Sequence, residues 1–218
     1  MYPGWPINDP VDINDPLVQK FANQIRKHST LIEASKITEP LPIGNCYWNV
    51  DETVKRLGGK MVTGWLINKW TNSHLVGMHH AIYVDPNGTM LDITQSPPCE
   101  TITNTSIFLI DNSHNIDTDK VPAIGSLFYA LNENPFTTNY IESYKNLNQK
   151  EKNLSKVMYS VGIRCESNKA IANGTLPTGI PLTVEQKNLI ENAIKLIEEA
   201  KIRLGTSIEE LKKHTGHS

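Results

Sequence analysis

A thiol, an imidazole and a carboxylate follow one another along the chain as Cys46, His80 and Asp92. That order suits nucleophilic acyl chemistry. A thiol attacks poorly until it loses its proton, and an imidazole can take that proton and later return it to a leaving group. A carboxylate on the far side of the ring fixes its tautomer and steadies the imidazolium. Attack on a carbonyl would give an acyl-thioester, resolved by water or an amine. The backbone N–H of Cys46, assisted by the side chain of Asn45 or Asn49, would face the developing oxyanion. Trp48 and His79 are further candidates for lining the site.

Three elements must position this triplet. Pro40-Leu41-Pro42-Ile43-Gly44 is an extended lead-in that cannot continue a helix. From Cys46 onward Tyr47, Val50, Val54 and Leu57 share one helical face, and Gly58-Gly59 supplies a stop, so the cysteine opens a helix of about three turns. The positive end of that helix would favour a thiolate. Lys60 to Asn68 and Leu75 to Val84 read as strands from their β-branched and aromatic content.

Asp85-Pro86-Asn87-Gly88 is the turn into a third strand ending at Thr94. A three-residue Pro86-Asn87-Gly88 loop, the form proline favours, pairs Asp85 with Thr89 and puts His80 diagonal to Asp92 on one face. A two-residue loop would shift the register by one and bring His79 there instead. Pro86 favours His80.

Elsewhere the signals are structural. Residues 1–15 form an arm rich in Pro, Gly and Asn-Asp turns. Asp15 with Pro16 starts a helix, with one or two helices expected over 16–36. Ser106 to Ile110 reads as a buried strand, with the sheet complete near Asp111. Residues 113–180 read as a peripheral attachment, with helical pieces at 123–131 and 139–154 and a strand over Val157 to Arg164. Thr183 to Gln186 is a capping box opening an amphipathic helix to Leu204, broken by Gly205-Thr206-Ser207 before a short last piece. The expected class is α+β: a cysteine-bearing helix packed on an antiparallel sheet over 16–112, with a C-terminal helical segment, 181–218, packing on it.

Composition excludes several function classes. Lys and Arg number 21 against 23 Asp and Glu, so no basic field draws nucleic acid or anionic lipid. No apolar window approaches the roughly 18 residues of a membrane span, and the N-terminus lacks a signal-peptide pattern, so the expected compartment is the cytoplasm. Cys46, Cys99 and Cys165 are odd in number and lack a C-x-x-C pair, which argues for free thiols over a disulfide framework or zinc knuckle. A metal site drawn from His74, His79, His80, Cys46 and Cys99 fits no standard ligand spacing; neither metal nor cofactor is expected.

Cysteine at a helix start, the Gly58-Gly59 stop, Gly64-Trp65, His80-Ala81 and Asp92-Ile93-Thr94 together resemble the core of the transglutaminase-like and papain-like cysteine hydrolase superfamily, over about 43–112. The spacing is closer to the compact transglutaminase and arylamine N-acetyltransferase arrangement than to papain. Pro40 stands where papain-like enzymes place an oxyanion glutamine, and Tyr47 follows the cysteine in place of tryptophan. The resemblance implies Cys46 as nucleophile, His80 as base and Asp92 as orienter. It implies a peptide, protein or small acyl substrate. The alternatives are a module on the same fold that binds peptide or protein without catalysis and, less favoured, a metal-binding or structural protein.

Overall fold

The computed structural model describes residues 6–97, 101, 103–177 and 179–217, and Cys99 lies outside them. Helix α1, Pro16–Ile25, is capped by the Asp15 carboxylate on the Leu17 N–H and carries proline in its first turn. It ends well short of residue 36. His28 adopts a left-handed φ of 59°, and the chain resumes as strand β1, Leu31–Leu41, where a second helix was expected. Leu, Glu, Ala and Lys in this stretch are helix formers. Tertiary pairing overrides them, because Leu31 to Ser35 pair antiparallel with a later strand.

Helix α2, Cys46–Leu57, opens at the cysteine as expected and stops at Gly58 and Gly59, both at positive φ. Strands β2 (Lys60–Trp70), β3 (His74–Val84), β4 (Met90–Thr94) and β5 (Thr105–Ile110) follow. A sixth, β6 (Leu127–Ala130), lies within a stretch read from sequence as helical. Helices α3 (Pro135–Ser160), α4 (Glu166–Ala172) and α5 (Val184–Thr215) complete the chain.

The fold is α+β, but its sheet is mixed, not antiparallel. Strand order is β2-β5-β1-β4-β3-β6, and a further β2–β3 pairing closes the first five strands into a small barrel. The β1–β4 ladder is parallel; the others are antiparallel. Alternating side chains separate two environments. Val62, Ile82, Val84, Phe108 and Ala34 form one cluster, with Met90 packed against it. On the opposite parity, Trp65, Ile67, Leu75 and Leu109 receive Val18, Phe21 and Ala22 of α1, while Ala81, Tyr83 and Ile93 receive Tyr47, Trp48 and Val50 of α2.

β3 pairs along its whole length with β2, so its other edge is shared. β4 meets it at Tyr83 and Val84, and β6 at His74 to Gly77. Between those ladders, residues 78–82 have no strand partner on that edge among the described residues. The opening carries both His79 and His80.

The helical layer is longer and simpler than the sequence indicates. α3 runs through the Val157–Ser160 stretch expected to be a strand, and α5 runs unbroken through Gly205-Thr206-Ser207. A mid-helix glycine costs about 1 kcal/mol relative to alanine. Here Leu204, Ile208 and Leu211 are buried in a cluster shared with Tyr140 and Leu147 of α3 and Trp70 of β2, with Ser207 also buried, and that burial outweighs the cost. The Trp70 indole N–H donates to Thr215 Oγ1 at 2.9 Å and ties the end of α5 to the barrel. No helix among the described residues is long and apolar enough to cross a membrane.

Candidate functional site

The hairpin from β3 to β4 has the three-residue loop. Asp85 N–H donates to Thr89 O, Gly88 takes φ 89°, and Tyr83 pairs with Leu91. His80 therefore shares a face with Ile82 and Val84, and Asp92 shares one with Met90. Their side chains meet: His80 Nε2 lies 2.9 Å from Asp92 Oδ1, with the two side chains 13% and 3% exposed. The carboxylate is held in turn by the Ser106 hydroxyl donating to Oδ2 at 2.7 Å and by the Thr94 N–H on Oδ1 at 3.4 Å.

Cys46 approaches the same ring. Its side chain acts on His80 electrostatically, and with Asp92 occupying Nε2, Nδ1 is the nitrogen left to face sulfur. Two side chains from the first turn of α2 fix this approach. The Tyr47 hydroxyl reaches the residue before His80, at 2.7 Å from His79 Nδ1 and 3.3 Å from its carbonyl. Asn49 Nδ2 donates to Thr94 Oγ1 at 3.1 Å, two residues past Asp92, and to the Pro42 carbonyl at 2.9 Å. The helix start is thus registered against both partner strands at the opening in β3.

Electrostatics follow from this geometry. Burial alone would push the His80 imidazole down; the Asp92 carboxylate, then Cys46 and the hydrogen bond to Asp92, outweigh it and hold His80 well above the ordinary histidine value. Burial likewise pushes Asp92 up, and His80, Ser106 and the Thr94 N–H more than reverse it, leaving the carboxyl below its usual range. Cys165, by contrast, is a buried thiol pushed up to about 11 by desolvation. Cys46 is partly exposed.

The remaining residues named from sequence have other bonds. Asn45 Nδ2 donates to Asn49 Oδ1 and to the Asn168 carbonyl, and Asn49 Nδ2 donates to Pro42 and Thr94. All four side-chain N–H donors are committed, whereas the first backbone N–H groups of α2 lack intrahelical partners. Trp48 is buried and donates its indole N–H to the Thr118 carbonyl at 2.8 Å, fastening the 111–126 loop to α2. His79 sits on the opposite face from His80, edge-on to Trp65 and His114, and its buried Nε2 has no hydrogen-bond partner. Burial first, then His114, lowers it to about 4. His74 is fully buried against Tyr140 and bonded to Ser73, far along β3 from Cys46. Among the described residues no group of three or more His, Cys, Asp or Glu side chains is arranged to hold a metal ion.

Asn168 is a positioning residue that the sequence did not reveal. It lies on α4, and it exchanges two hydrogen bonds with Asn45, its Nδ2 donating to Asn45 Oδ1 at 2.9 Å and its carbonyl accepting at 3.0 Å. Contact across 123 residues has no local sequence signal. Asn168→Ala removes the bond to Asn45 Oδ1 and leaves that oxygen buried and unpaired, at an expected loss of about 1–2 kcal/mol of unfolding free energy. Urea unfolding checks the loss, and site-resolved alkylation should show slower reaction at Cys46. An unchanged alkylation rate in the folded variant would mean that α4 does not position the thiol.

No family model, curated protein or solved structure matches the chain.

Proposed function

We propose that the protein is a thiol-dependent hydrolase or acyl transferase acting on an amide, isopeptide or thioester bond through Cys46, His80 and Asp92. The observation that carries the reading is one buried imidazole bonded to Asp92 on Nε2, with Cys46 at the start of α2 close enough to act on the same ring electrostatically. We read the α2-bearing barrel as a variant of the transglutaminase-like and papain-like core, with Cys46 at a helix start as those enzymes require.

In this reading the Cys46 proton passes to His80, and the sulfur attacks the carbonyl carbon of the substrate. The oxyanion is met by backbone N–H groups of the first α2 turn, where the helix dipole also favours negative charge. As the tetrahedral intermediate collapses, imidazolium returns the proton to the departing amine or thiol, and an acyl-thioester remains on Cys46. His80 then deprotonates water or an acceptor amine, whose attack releases Cys46. Asp92 keeps Nε2 protonated throughout, and Ser106 keeps Asp92 oriented.

The test is iodoacetamide alkylation followed separately at each cysteine by mass spectrometry from pH 4 to 9, in wild type and His80→Ala. The expected result is fast reaction of Cys46 at pH 6, well below the free-thiol value of about 8.5, lost by roughly 100-fold in His80→Ala. Cys165 should stay inert throughout. A Cys46 that reacts no faster than an ordinary thiol would sink the enzyme reading in favour of a module that binds peptide or protein without catalysis.

A further inference from the structure

Away from Cys46, the 111–127 loop and one face of α3 line an open cavity of about 780 Å³. Its wall on the helix side is set by spacing: Lys145, Asn148, Gln149, Lys152, Ser155 and Lys156 recur at three- and four-residue intervals and therefore share one face. Its opposite wall is pinned to that face. Asn148 Oδ1 accepts the Ser126 N–H at 3.1 Å, and the Ser155 hydroxyl donates to the Val121 carbonyl at 2.6 Å. Gly125 packs so close to Asn148 that an added Cβ would lie 3.4 Å from its Oδ1. The two walls are held at fixed separation, which makes this a formed cavity and not a gap beneath a loose loop.

Its charge is one-sided. Lys120, Lys145, Lys152 and Lys156 all line it, and among the described residues none of them forms an ion pair. Two carboxylates also line it. Asp111 is already neutralised: Arg26 Nη1 donates to it at 2.8 Å and the Trp65 indole at 3.0 Å. That leaves four ammonium groups against Asp117 alone, in a chain whose overall charge is −2. A concave wall of one sign concentrates counter-ions inside it. Lysine at a helix surface is ordinarily just solvated, and Lys145, Lys152 and Lys156 are themselves exposed, but their side of α3 faces a pinned loop across the cavity.

We propose that this cavity binds a small organic anion carrying two or more phosphate or carboxylate groups. Several ammonium groups spread along one wall match several negative oxygens better than a single charge, since each charge-assisted hydrogen bond is about twice as strong as a neutral one. The volume lies within the roughly 300–1,000 Å³ range of small-molecule sites. Trp65 and His114 close the end of the cavity nearest α2. The site does not include Cys46 or His80 and stands whether or not the thiol is catalytic.

The test is calorimetric titration of the full chain with tripolyphosphate and, separately, with citrate, at fixed ionic strength. Four proteins are compared: wild type, Lys152→Gln/Lys156→Gln, the control Lys187→Gln/Lys195→Gln with the same charge change on exposed α5 positions, and Cys46→Ser. The expected result is saturable one-to-one binding of at least one probe, weakened roughly tenfold or more in the cavity pair and less than twofold in the control and in Cys46→Ser. Which probe binds identifies phosphate or carboxylate as the preferred group. No saturable binding of either probe, or equal weakening in the cavity and control pairs, would overturn the proposal. Binding confined to long polyanions such as an oligonucleotide would overturn it as well.

Discussion

Lowering the pH from 7 to 4.5 is expected to remove roughly 2–3 kcal/mol of unfolding free energy through His74 alone. His74 is 1% exposed, among Trp70, Phe128 and Tyr140, and burial lowers it to about 3. The unfolded chain takes up a proton there below pH 6.5 while the folded protein does not, so stability falls as pH drops from 6.5 toward 3. His79, lowered to about 4, acts in the same direction over 6.5 to 4.

Well below pH 6.5 the other site groups do not oppose this slope, whereas between pH 7 and about 6 His80 adds stability as the pH falls. His80 is raised, so its contribution is fully present below 6.5 and is lost only as pH rises through its folded value. Asp92 is lowered, so its contribution persists until pH falls through its own value below 3.8. Urea unfolding at pH 7, 6, 5 and 4.5 measures the slope. His74→Phe should flatten it by about one proton, since Ser73 keeps its 2.8 Å bond to Thr137. A stability independent of pH between 6.5 and 4.5 would mean that His74 is charged in the folded protein.

Gly64→Ala is expected to prevent stable folding, with a loss of about 4 kcal/mol or more, beyond the usual 1–3 kcal/mol of overpacking. A Cβ at Gly64 would lie 2.0 Å from the Leu109 carbonyl oxygen and 2.9 Å from the Asp111 nitrogen, both backbone atoms. Side-chain adjustment cannot relieve that contact. Gly64 pairs with Ile110 on one side and His80 on the other, so the β2–β5 ladder of the barrel has to open at the residue opposite the candidate base. Gly88→Ala is the control: nothing lies within 4 Å of the added carbon, and its φ of 89° costs only about 1–2 kcal/mol. Circular dichroism and thermal melting of both variants decide the matter. A Gly64→Ala protein that melts cooperatively near the wild-type temperature would show that the barrel can widen there.

The parts of the fold set by local chemistry are those the sequence conveys. Pro86 at the turn determines the loop, the loop determines the register, and the register brings His80 and Asp92 to one face. Gly58-Gly59 ends α2, and Thr183 with Gln186 caps α5. The parts set by distant partners are hidden. β1 is built from helix-forming residues and becomes a strand because β4 and β5 flank it. β6 has four residues and is defined by its pairing with β3. Val157 to Ser160 favour strand locally and continue a helix already capped at Asn134. In the site itself, residue types suggested the triplet, whereas Asn45 and Asn49 serve as struts because of what surrounds them. Asn168 could not be found without the fold.

Closing the sheet also affects how molecules of this protein meet one another. An open sheet ends in two rows of unpaired backbone groups, each a template on which a neighbouring chain can add a strand. Here β2, β5, β1, β4 and β3 pair in a ring, so those rows are used internally. The sixth strand extends for four residues, Leu127–Ala130, too short to seed a long ladder. One stretch left without a strand partner among the described residues is that of β3 between β4 and β6, and there the Tyr47 hydroxyl already engages the His79 carbonyl. That stretch beside His80 is therefore also guarded against intermolecular strand addition.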